Sequence, residues 1–311
     1  MRYKESKTQV RPKGLWGGIR RYRGVYLMFL PSLVFLAIFC YSPLYGLAIA
    51  FKDFGIFTGI KDSPWVGFLH FKMIFQDPKF YAVLRNTLWI SFLRLVVCMP
   101  VPIVFALLLN EVKTGLFKKT VQAVNYFPYF LSWVVFYGVV YSFTGPNGMI
   151  NQVLTGMGLE TVDLTTNKNA FIPLILITDM IKNTGWASIV YMAGIAGIDP
   201  QLYEAVAMDG GGRLRQMWHV TLPGIRGVIC FQYCMSIANI LSAGFDQVYM
   251  FLNPTLYDVG DILDTYIYRT GLISSNYEVS TAVGLMKGLV GMVLIIAANK
   301  ICRRIGEKSL W

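Results

Sequence analysis

The chain has 311 residues, of which 55% are hydrophobic and only 14% are charged, and its mean hydropathy is +0.51. A soluble domain carries charged side chains at roughly a quarter of its positions, so most of this chain is predicted to lie in lipid. No polar stretch is long enough for a second folded unit, which predicts a single membrane domain. The formal net charge of +11 therefore has to be interpreted by its position along the chain.

Six apolar segments are long enough to cross a bilayer as helices, which takes about 20 mainly apolar residues. They lie at 26–50, 86–109, 121–143, 171–198, 225–252 and 281–302. Their apolar runs are continuous and do not alternate with polar residues, which excludes a strand barrel. We therefore predict an all-α polytopic membrane protein with six transmembrane helices and both termini on one side.

The lysine and arginine residues are distributed unequally about these segments. Seven lie on one side: Lys52, Lys61, Lys72, Lys79, Arg85, Lys168 and Arg269. Three lie within spans: Arg94, Lys182 and Lys287. The remaining 18 of the 28 lie on the other side, with the tails 1–25 and 303–311. Because basic loops mark the cytoplasmic side, both tails and the loop 199–224 are predicted to be cytoplasmic. The positive charge thus indicates topology and not nucleic-acid binding.

The loop 199–224 has the pattern of a helix, a glycine corner and a second helix. Asp199 is a good N-cap and Pro200 a good first helical residue. Glycines at 210–212 end this helix, since glycine takes positive φ freely. A second short helix is predicted at 214–219, before the next span begins.

A short helix held at both ends can sit in the groove of a partner protein and transmit rigid-body motion. The first helix offers Tyr203, Ala207 and Met208 as apolar contacts. Glu204 lies near its N-terminus, where a negative charge is favoured and a partner arginine can pair with it. The alternative is an amphipathic interfacial loop without a partner.

The spacing of this loop resembles the cytoplasmic EAA loop of bacterial ABC importer permeases. The matching residues are Glu204, Ala205, Asp209, Gly210, Val220, Leu222 and Pro223. The sequence departs from the motif at Val206, where alanine is usual, and at Gly211, where alanine is common. The resemblance implies that an ATPase docks on a set of nine residues: Tyr203, Glu204, Ala205, Ala207, Met208, Asp209, Gly210, Leu222 and Pro223.

Shorter motifs extend the resemblance along nearly the whole chain. They include Pro43-Leu44-Tyr45-Gly46, Asn86-Thr87, Asn110-Glu111, Tyr126-Phe127-Pro128 and Gly185-Trp186. These resemble the polysaccharide-type permeases of the binding-protein-dependent, maltose-type (type I importer) family. The resemblance implies a MetI-like fold in a bacterial cell membrane. It also implies import of a complex oligosaccharide with two ATPase subunits, a second homologous permease, and a lipid-anchored or periplasmic solute-binding protein.

The sequence lacks the residues that ATP hydrolysis would require. No Gly-Lys dipeptide occurs, so the chain has no phosphate-binding P-loop. No nucleophile, base and orienting residue stand out, and with two histidines we predict no catalytic residue, cofactor or metal site. ATP hydrolysis is therefore expected in a separate chain. The five cysteines are interpreted as small packing residues, without a disulfide.

Polar residues within spans are costly and usually face a cavity or a partner. The candidates to line a sugar pathway are Asp179, Lys182, Asn183, Trp186, Tyr233, Asn239 and Asp246. Asp179 and Lys182, three apart, are placed to pair on one helix face, and Asn239 and Asp246 are placed on one face seven apart. The alternative is that these groups satisfy one another against the second permease, with Arg94 and Asp246 merely interfacial.

Two other classes of transporter remain open at this point. A permease for another solute class would share the loop, although Asp209-Gly210-Gly211 and the motifs near the first span favour sugar. An ion-driven secondary transporter would show an internal half-repeat and several acidic residues at mid-membrane. No repeat is visible, and only Asp179 and Asp246 are acidic residues within spans.

Overall fold

The computed structural model describes residues 22–113 and 115–304, and every regular element in these two ranges is helical. The β pairing in these ranges is confined to an isolated bridge between Lys52 and Trp65. The prediction of an all-α protein is confirmed. Most of the two predicted tails, 1–25 and 303–311, is not described. Residues 1–21 of the first tail and 305–311 of the second lie outside the described ranges.

The α-helices follow one another in this order: α1 Arg23–Phe35, α2 Gly59–Asp62, α3 Leu69–Gln76, α4 Pro78–Leu93, α5 Pro100–Glu111, α6 Leu116–Tyr126, α7 Trp133–Thr144, α8 Met149–Gly156, α9 Lys168–Ala196, α10 Pro200–Met208, α11 Arg213–Gln216, α12 Leu222–Gly224, α13 Arg226–Ala238, α14 Phe245–Phe251, α15 Tyr257–Gly260, α16 Leu263–Tyr268 and α17 Tyr277–Arg304. Short π-helical or 3₁₀ segments connect or extend several of them: Leu36–Tyr41, Ser42–Phe51, Arg94–Cys98, Phe127–Phe130, Met217–Thr221, Pro254–Leu256 and Arg269–Ile273. These segments join neighbouring helices into longer rods.

Within the described ranges, three rods are long and apolar enough to cross a membrane: Arg23–Phe51, Pro78–Glu111 and Tyr277–Arg303. Two bent helix pairs raise the number to five if each pair is one span. The helix α9 has 29 residues and covers the predicted span 171–198 up to residue 196, but the polar residues in its middle lower its mean hydropathy. The count of six spans therefore stays a prediction.

Two predicted spans are not the continuous helices that their hydropathy suggested. The span 121–143 bends by 107° between Leu116–Phe130 and Trp133–Gly156, where Ser132 starts α7 by accepting a hydrogen bond from the Val135 amide. The span 225–252 breaks between α13 and α14, where Gly244 has φ +82°. An apolar run does not reveal such breaks, since both halves remain apolar.

The helix α9 lies at the centre of the packing. Near one end, Phe171 and Ile175 pack in a buried cluster with Ile90 and Val248. Near the other end, Tyr191, only 1% exposed, packs with residues of α5 and with Ile225 at the start of α13. A side chain at Gly185 would collide with the backbone of Asn125, so glycine lets α9 approach α6 closely. Both halves of the chain therefore depend on α9 for their relative position.

The cysteines differ from their sequence interpretation in one pair. Cys234 of α13 and Cys302 of α17 form a disulfide, so the prediction that no disulfide forms is wrong in this structure. Cys98 is buried and Cys230 half-buried, in agreement with packing roles, whereas Cys40 is exposed.

Candidate functional site

The helix α10 begins and ends as its sequence predicts. The Asp199 carboxylate accepts a hydrogen bond from the Gln201 amide at 3.0 Å and caps the N-terminus. At the C-terminus the Gly211 amide donates to the Val206 carbonyl at 2.8 Å, and the Gly210 amide donates to the Ala207 carbonyl at 3.0 Å. These two bonds form a Schellman motif, which requires the positive φ of +75° that Gly210 adopts.

Side chains tie the two arms of the loop to each other. The Tyr203 hydroxyl lies 3.1 Å from the Thr221 hydroxyl, and the Gln216 amide donates to the Tyr203 carbonyl at 3.2 Å. Thr221 is only 1% exposed. Tyr203, predicted as a contact for a partner, is thus half-buried and holds the loop together from within.

The base of the loop is fixed to the body of the protein. Met217 and Leu222 pack against the cluster that contains Ile225 and Tyr191. A longer contact joins the Arg213 guanidinium to the Glu111 carboxylate at 4.0 Å, at the end of α5. The base of the loop is therefore in contact with α5, α9 and α13.

The outer face of the loop presents most of the predicted docking residues. The exposed members are Glu204, Ala205, Ala207, Met208, Asp209, Gly210 and Pro223. Met208 is 88% exposed, which is unusual for a large apolar side chain and typical of an interaction surface. The second arm adds exposed Leu214 and Trp218, which the motif spacing did not identify. Leu222 is half-buried in the loop base instead.

A polar network crosses the centre of the protein at helix breaks. Asp179 accepts a hydrogen bond from the Asn183 amide at 2.8 Å, and its carboxylate lies 3.9 Å from the Arg94 guanidinium. Arg94 also donates to the Gln247 side chain. The predicted pairing of Asp179 with Lys182 is therefore wrong, and Arg94 is an internal residue instead of an interfacial one.

Lys182 has a different set of partners. Its ammonium donates to the carbonyls of Pro128, Tyr129 and Leu131 at 2.9, 3.0 and 2.5 Å. An ammonium has three N–H groups, so all of its donors are used at the bend before α7. Lys182 is 4% exposed, and its charge stabilises the carbonyl end of a helix as the helix dipole favours.

A cavity of about 550 Å³ lies beside this bend. Of the predicted pathway residues it is lined by Lys182, Asn183 and Asp246, and it is also lined by five aromatic side chains: Tyr129, Trp133, Phe245, Tyr249 and Tyr268. Sequence reasoning missed these five as pathway residues. The spacing of Phe245 and Tyr249, four apart on one helix face, was the available signal.

The aromatic rings near this cavity are packed against one another. The Trp186 ring stacks on the Tyr129 ring, with centroids 4.5 Å apart and planes 4° from parallel. Tyr249 contacts Phe245 and Tyr268 at 5.4 and 4.9 Å between centroids. The rings form a semi-rigid wall at the side of the cavity.

A second cavity, of about 250 Å³, adjoins the first at Asn183. It is lined by Arg94, Asp179 and Asn239 and by several small hydroxyl residues: Ser91, Thr184, Ser236 and Ser242. A third cavity of about 590 Å³ shares Asn239 and Ser242 with it and includes Lys287. Shared lining residues thus link the three cavities in a row, from α7 and α14 past α4 and α9 to α13 and α17, and we call this row the cavity route.

Three of the predicted pathway residues, Asn239, Asp246 and Tyr233, lie in different parts of the structure. Asn239 and Asp246 border different cavities, because the helix is interrupted between them, so the prediction that they share a helix face is wrong. Tyr233 lines none of the cavities described above and packs with the apolar cluster around Tyr191. The structure thus brings together Asp179, Asn183 and Asn239.

The chain is similar in sequence, over nearly its whole length, to two proteins of one bacterium. It is 43% identical over 288 residues to the polygalacturonan/rhamnogalacturonan transport system permease protein YteP of Bacillus subtilis (strain 168), covering 92% of this chain and 90% of that protein. Protein LplB of Bacillus subtilis (strain 168) is 40% identical, with 94% and 92% covered.

One similar solved structure is the crystal structure of a bacterial alginate ABC transporter in complex with alginate pentasaccharide-bound periplasmic protein. A chain of that structure matches this chain with a TM-score of 0.88. That match has 36% identity and covers 95% of this chain and 99% of the other. Residues 92–307 match the family described as binding-protein-dependent transport system inner membrane component. With its helical fold, its loop and these similarities, the chain belongs to the binding-protein-dependent transport system inner membrane components, the membrane-embedded permeases of ABC transporters.

Proposed function

We propose that this chain is a permease subunit of an ATP-driven importer and that the loop 199–224 couples it to a separate ATPase. The observation that carries the proposal is an exposed docking face on a loop whose base is packed into the body of the protein. Glu204 and Met208 face outward on α10, while Met217 and Leu222 attach the loop to the packed cluster around Ile225. Such a loop transmits motion as a rigid lever.

The substrate that the cavities favour is an oligosaccharide. Aromatic rings such as Tyr249 and Trp133 offer flat faces for sugar rings, and a few planar polar groups such as Asn183 fix orientation by hydrogen bonds. The relatives named for polygalacturonan, rhamnogalacturonan and alginate support an acidic oligosaccharide as the transported compound.

The partners in this proposal are two ATPase subunits, a second homologous permease, and a lipid-anchored or periplasmic solute-binding protein that delivers the sugar. Closure of the ATPases on ATP would displace the loop and rock the attached helices, so that the route opens outward. The return motion would release the sugar inward, which is transport by alternating access.

Substitution within the docking face tests this proposal. Glu204→Lys reverses a charge on the exposed face of α10, and we expect uptake near background together with reduced co-purification of the ATPase. Gly210→Pro should act in the same way, because proline is restricted to φ near −65° and has no N–H for the Ala207 carbonyl. The amount of permease in the membrane should not change in either variant.

Glu160→Lys is the matched control, since Glu160 is an exposed acid outside the loop, and its uptake should equal that of the unmodified chain. Normal uptake in both loop variants would contradict the docking role. Uptake that survives ATP depletion and stops with a protonophore would instead establish an ion-driven transporter.

A further inference from the structure

Three cationic side chains line the cavity route, and the number of hydrogen bonds that each one donates differs. The Lys182 ammonium donates to three carbonyls, and the Lys287 ammonium is paired with Asp264. The Nε atom of Arg94 is buried, and it has no hydrogen-bond partner among residues 22–113 and 115–304. Arg94 is thus the cation of this route that keeps an unused buried donor.

Ser91 lies one helical turn before Arg94, on the same face of the α4 rod. Its hydroxyl is also buried without a hydrogen-bond partner in the described part of the chain, and the residue is 8% exposed. Both residues line the cavity of about 250 Å³. Buried polar atoms without partners are rare and costly, so two of them beside one cavity point to a ligand oxygen that reaches them when the surrounding helices move during transport.

The surroundings of Arg94 suit an anionic oxygen that binds and then leaves. Its guanidinium is held by Gln247, while the Asp179 carboxylate stays at 3.9 Å, beyond hydrogen-bond distance, and accepts from Asn183. The charge of Arg94 is therefore offset only partly. A guanidinium matches the planar geometry of a carboxylate, and the nearby carboxylate keeps a bound anion from being held too tightly.

We propose that Arg94 Nε and Ser91 Oγ donate hydrogen bonds to a carboxylate oxygen of an acidic sugar residue in transit. This assignment rests on the proposed function and specifies its substrate class as uronate-containing. The volume of about 250 Å³ is ample for one sugar ring, because an apolar cavity of about 150 Å³ already holds benzene.

Equilibrium binding to the complete transporter in nanodiscs tests the assignment. The probes are trigalacturonate and its carboxyl-reduced counterpart, in which each carboxylate becomes a primary alcohol, measured without the solute-binding protein. We expect the unmodified transporter to prefer the acidic compound by roughly tenfold, as one charge-assisted hydrogen bond provides. Arg94→Lys, which keeps the charge but removes Nε–H, and Ser91→Ala should each reduce this preference severalfold.

Arg269→Lys is the matched control. Arg269 also pairs with a carboxylate, Asp261, and its side chain is 27% exposed, compared with 19% for Arg94, but it lies in none of the three cavities of the route. The transporter with Arg269→Lys should prefer trigalacturonate over the carboxyl-reduced compound as strongly as the unmodified transporter does. An unchanged preference in both Arg94→Lys and Ser91→Ala would overturn the assignment.

The remaining outcomes separate this assignment from the proposed function. Binding of both compounds by the unmodified transporter without preference would overturn the carboxylate contact alone and leave oligosaccharide import intact. Equal weakening of both compounds in the variants would mean contact with a hydroxyl or a structural role, and it would also overturn the assignment. Binding of neither compound would count against the proposed function itself.

Discussion

Lys182 is a lysine in the middle of a helix whose charge is held by backbone carbonyls. The carbonyls of Pro128, Tyr129 and Leu131 surround its ammonium at the point where the chain turns into α7. A buried cation is costly in a membrane protein unless it is paired, and here the partners are the half-buried carbonyls of a helix end. The side chain thereby fixes the bend that forms one wall of the aromatic cavity.

Replacing Lys182 by methionine keeps the length of the side chain and removes its donors. We expect the free energy of unfolding in detergent to fall by about 2 kcal/mol, because three half-buried carbonyls lose a charged partner. Chemical denaturation of the purified protein measures this change. Lys168→Met serves as control, since the Lys168 side chain is 50% exposed in its pair with Asp258 and such pairs contribute at most about 1 kcal/mol. Equal losses in the two variants would contradict the capping role.

At the scale of the elements, two helix ends use glycine in the left-handed region in different surroundings. Gly210 has φ +75° and no neighbouring atom within 4 Å of an added side chain. Gly244 has φ +82° and lies against the guanidinium of Arg94. The first glycine ends a loop helix in open space, and the second joins the break before α14 to the central polar network.

This difference predicts a graded response to the same substitution. Gly210→Ala should cost about 1 kcal/mol of unfolding free energy, the usual cost of the left-handed region for an L-residue. Gly244→Ala should cost about 3 kcal/mol, because the overpacked methyl group also displaces Arg94, and uptake should fall with it. Chemical denaturation and uptake assays of both variants measure these effects. Equal losses of unfolding free energy in the two variants would show that the Arg94 side chain moves aside without cost.

At the scale of the whole molecule, local signals could be read from the sequence and distant pairings could not. The cap at Asp199 and the corner at Gly210 depend on neighbours in sequence, and the structure has both. Arg94 and Gln247 lie 153 positions apart, and no pattern in the sequence relates them. The residue type and position of Lys182 suggested a nearby acid, whereas its partners are carbonyls created by a bend that hydropathy does not register.

The first membrane-length rod, Arg23–Phe51, shows how much of this fold depends on its surroundings. Its most apolar stretch is 0% buried within the chain. Large side chains such as Met28 and Phe39 are 84% and 64% exposed. Such a helix is stable only in contact with lipid or another subunit, because its apolar surface cannot face water. The side of the membrane on which each loop lies is therefore best measured with the protein in its membrane.

The excess of basic residues predicts that Met208 and Phe57 lie on opposite sides of the membrane, with Met208 in the cytoplasm. Both side chains are almost fully exposed, at 88% and 103%, so the labelling of a cysteine at either position should depend on membrane side and not on packing. In intact cells an impermeant maleimide should label Phe57→Cys and spare Met208→Cys. In inverted vesicles the pattern should be reversed, with Met208→Cys labelled and Phe57→Cys spared.

The unmodified chain gives the background from its native cysteines, and detergent-solubilised samples should label both variants equally, which separates sidedness from reactivity. Labelling of Met208→Cys from outside would reverse the predicted orientation. It would also place the loop where no cytoplasmic ATPase can reach it. Labelling of both positions from one side would require an even number of crossings between residues 57 and 208, which contradicts the three predicted spans 86–109, 121–143 and 171–198. The bend at α7 and the polar middle of α9 would then mark segments that enter the membrane without crossing it.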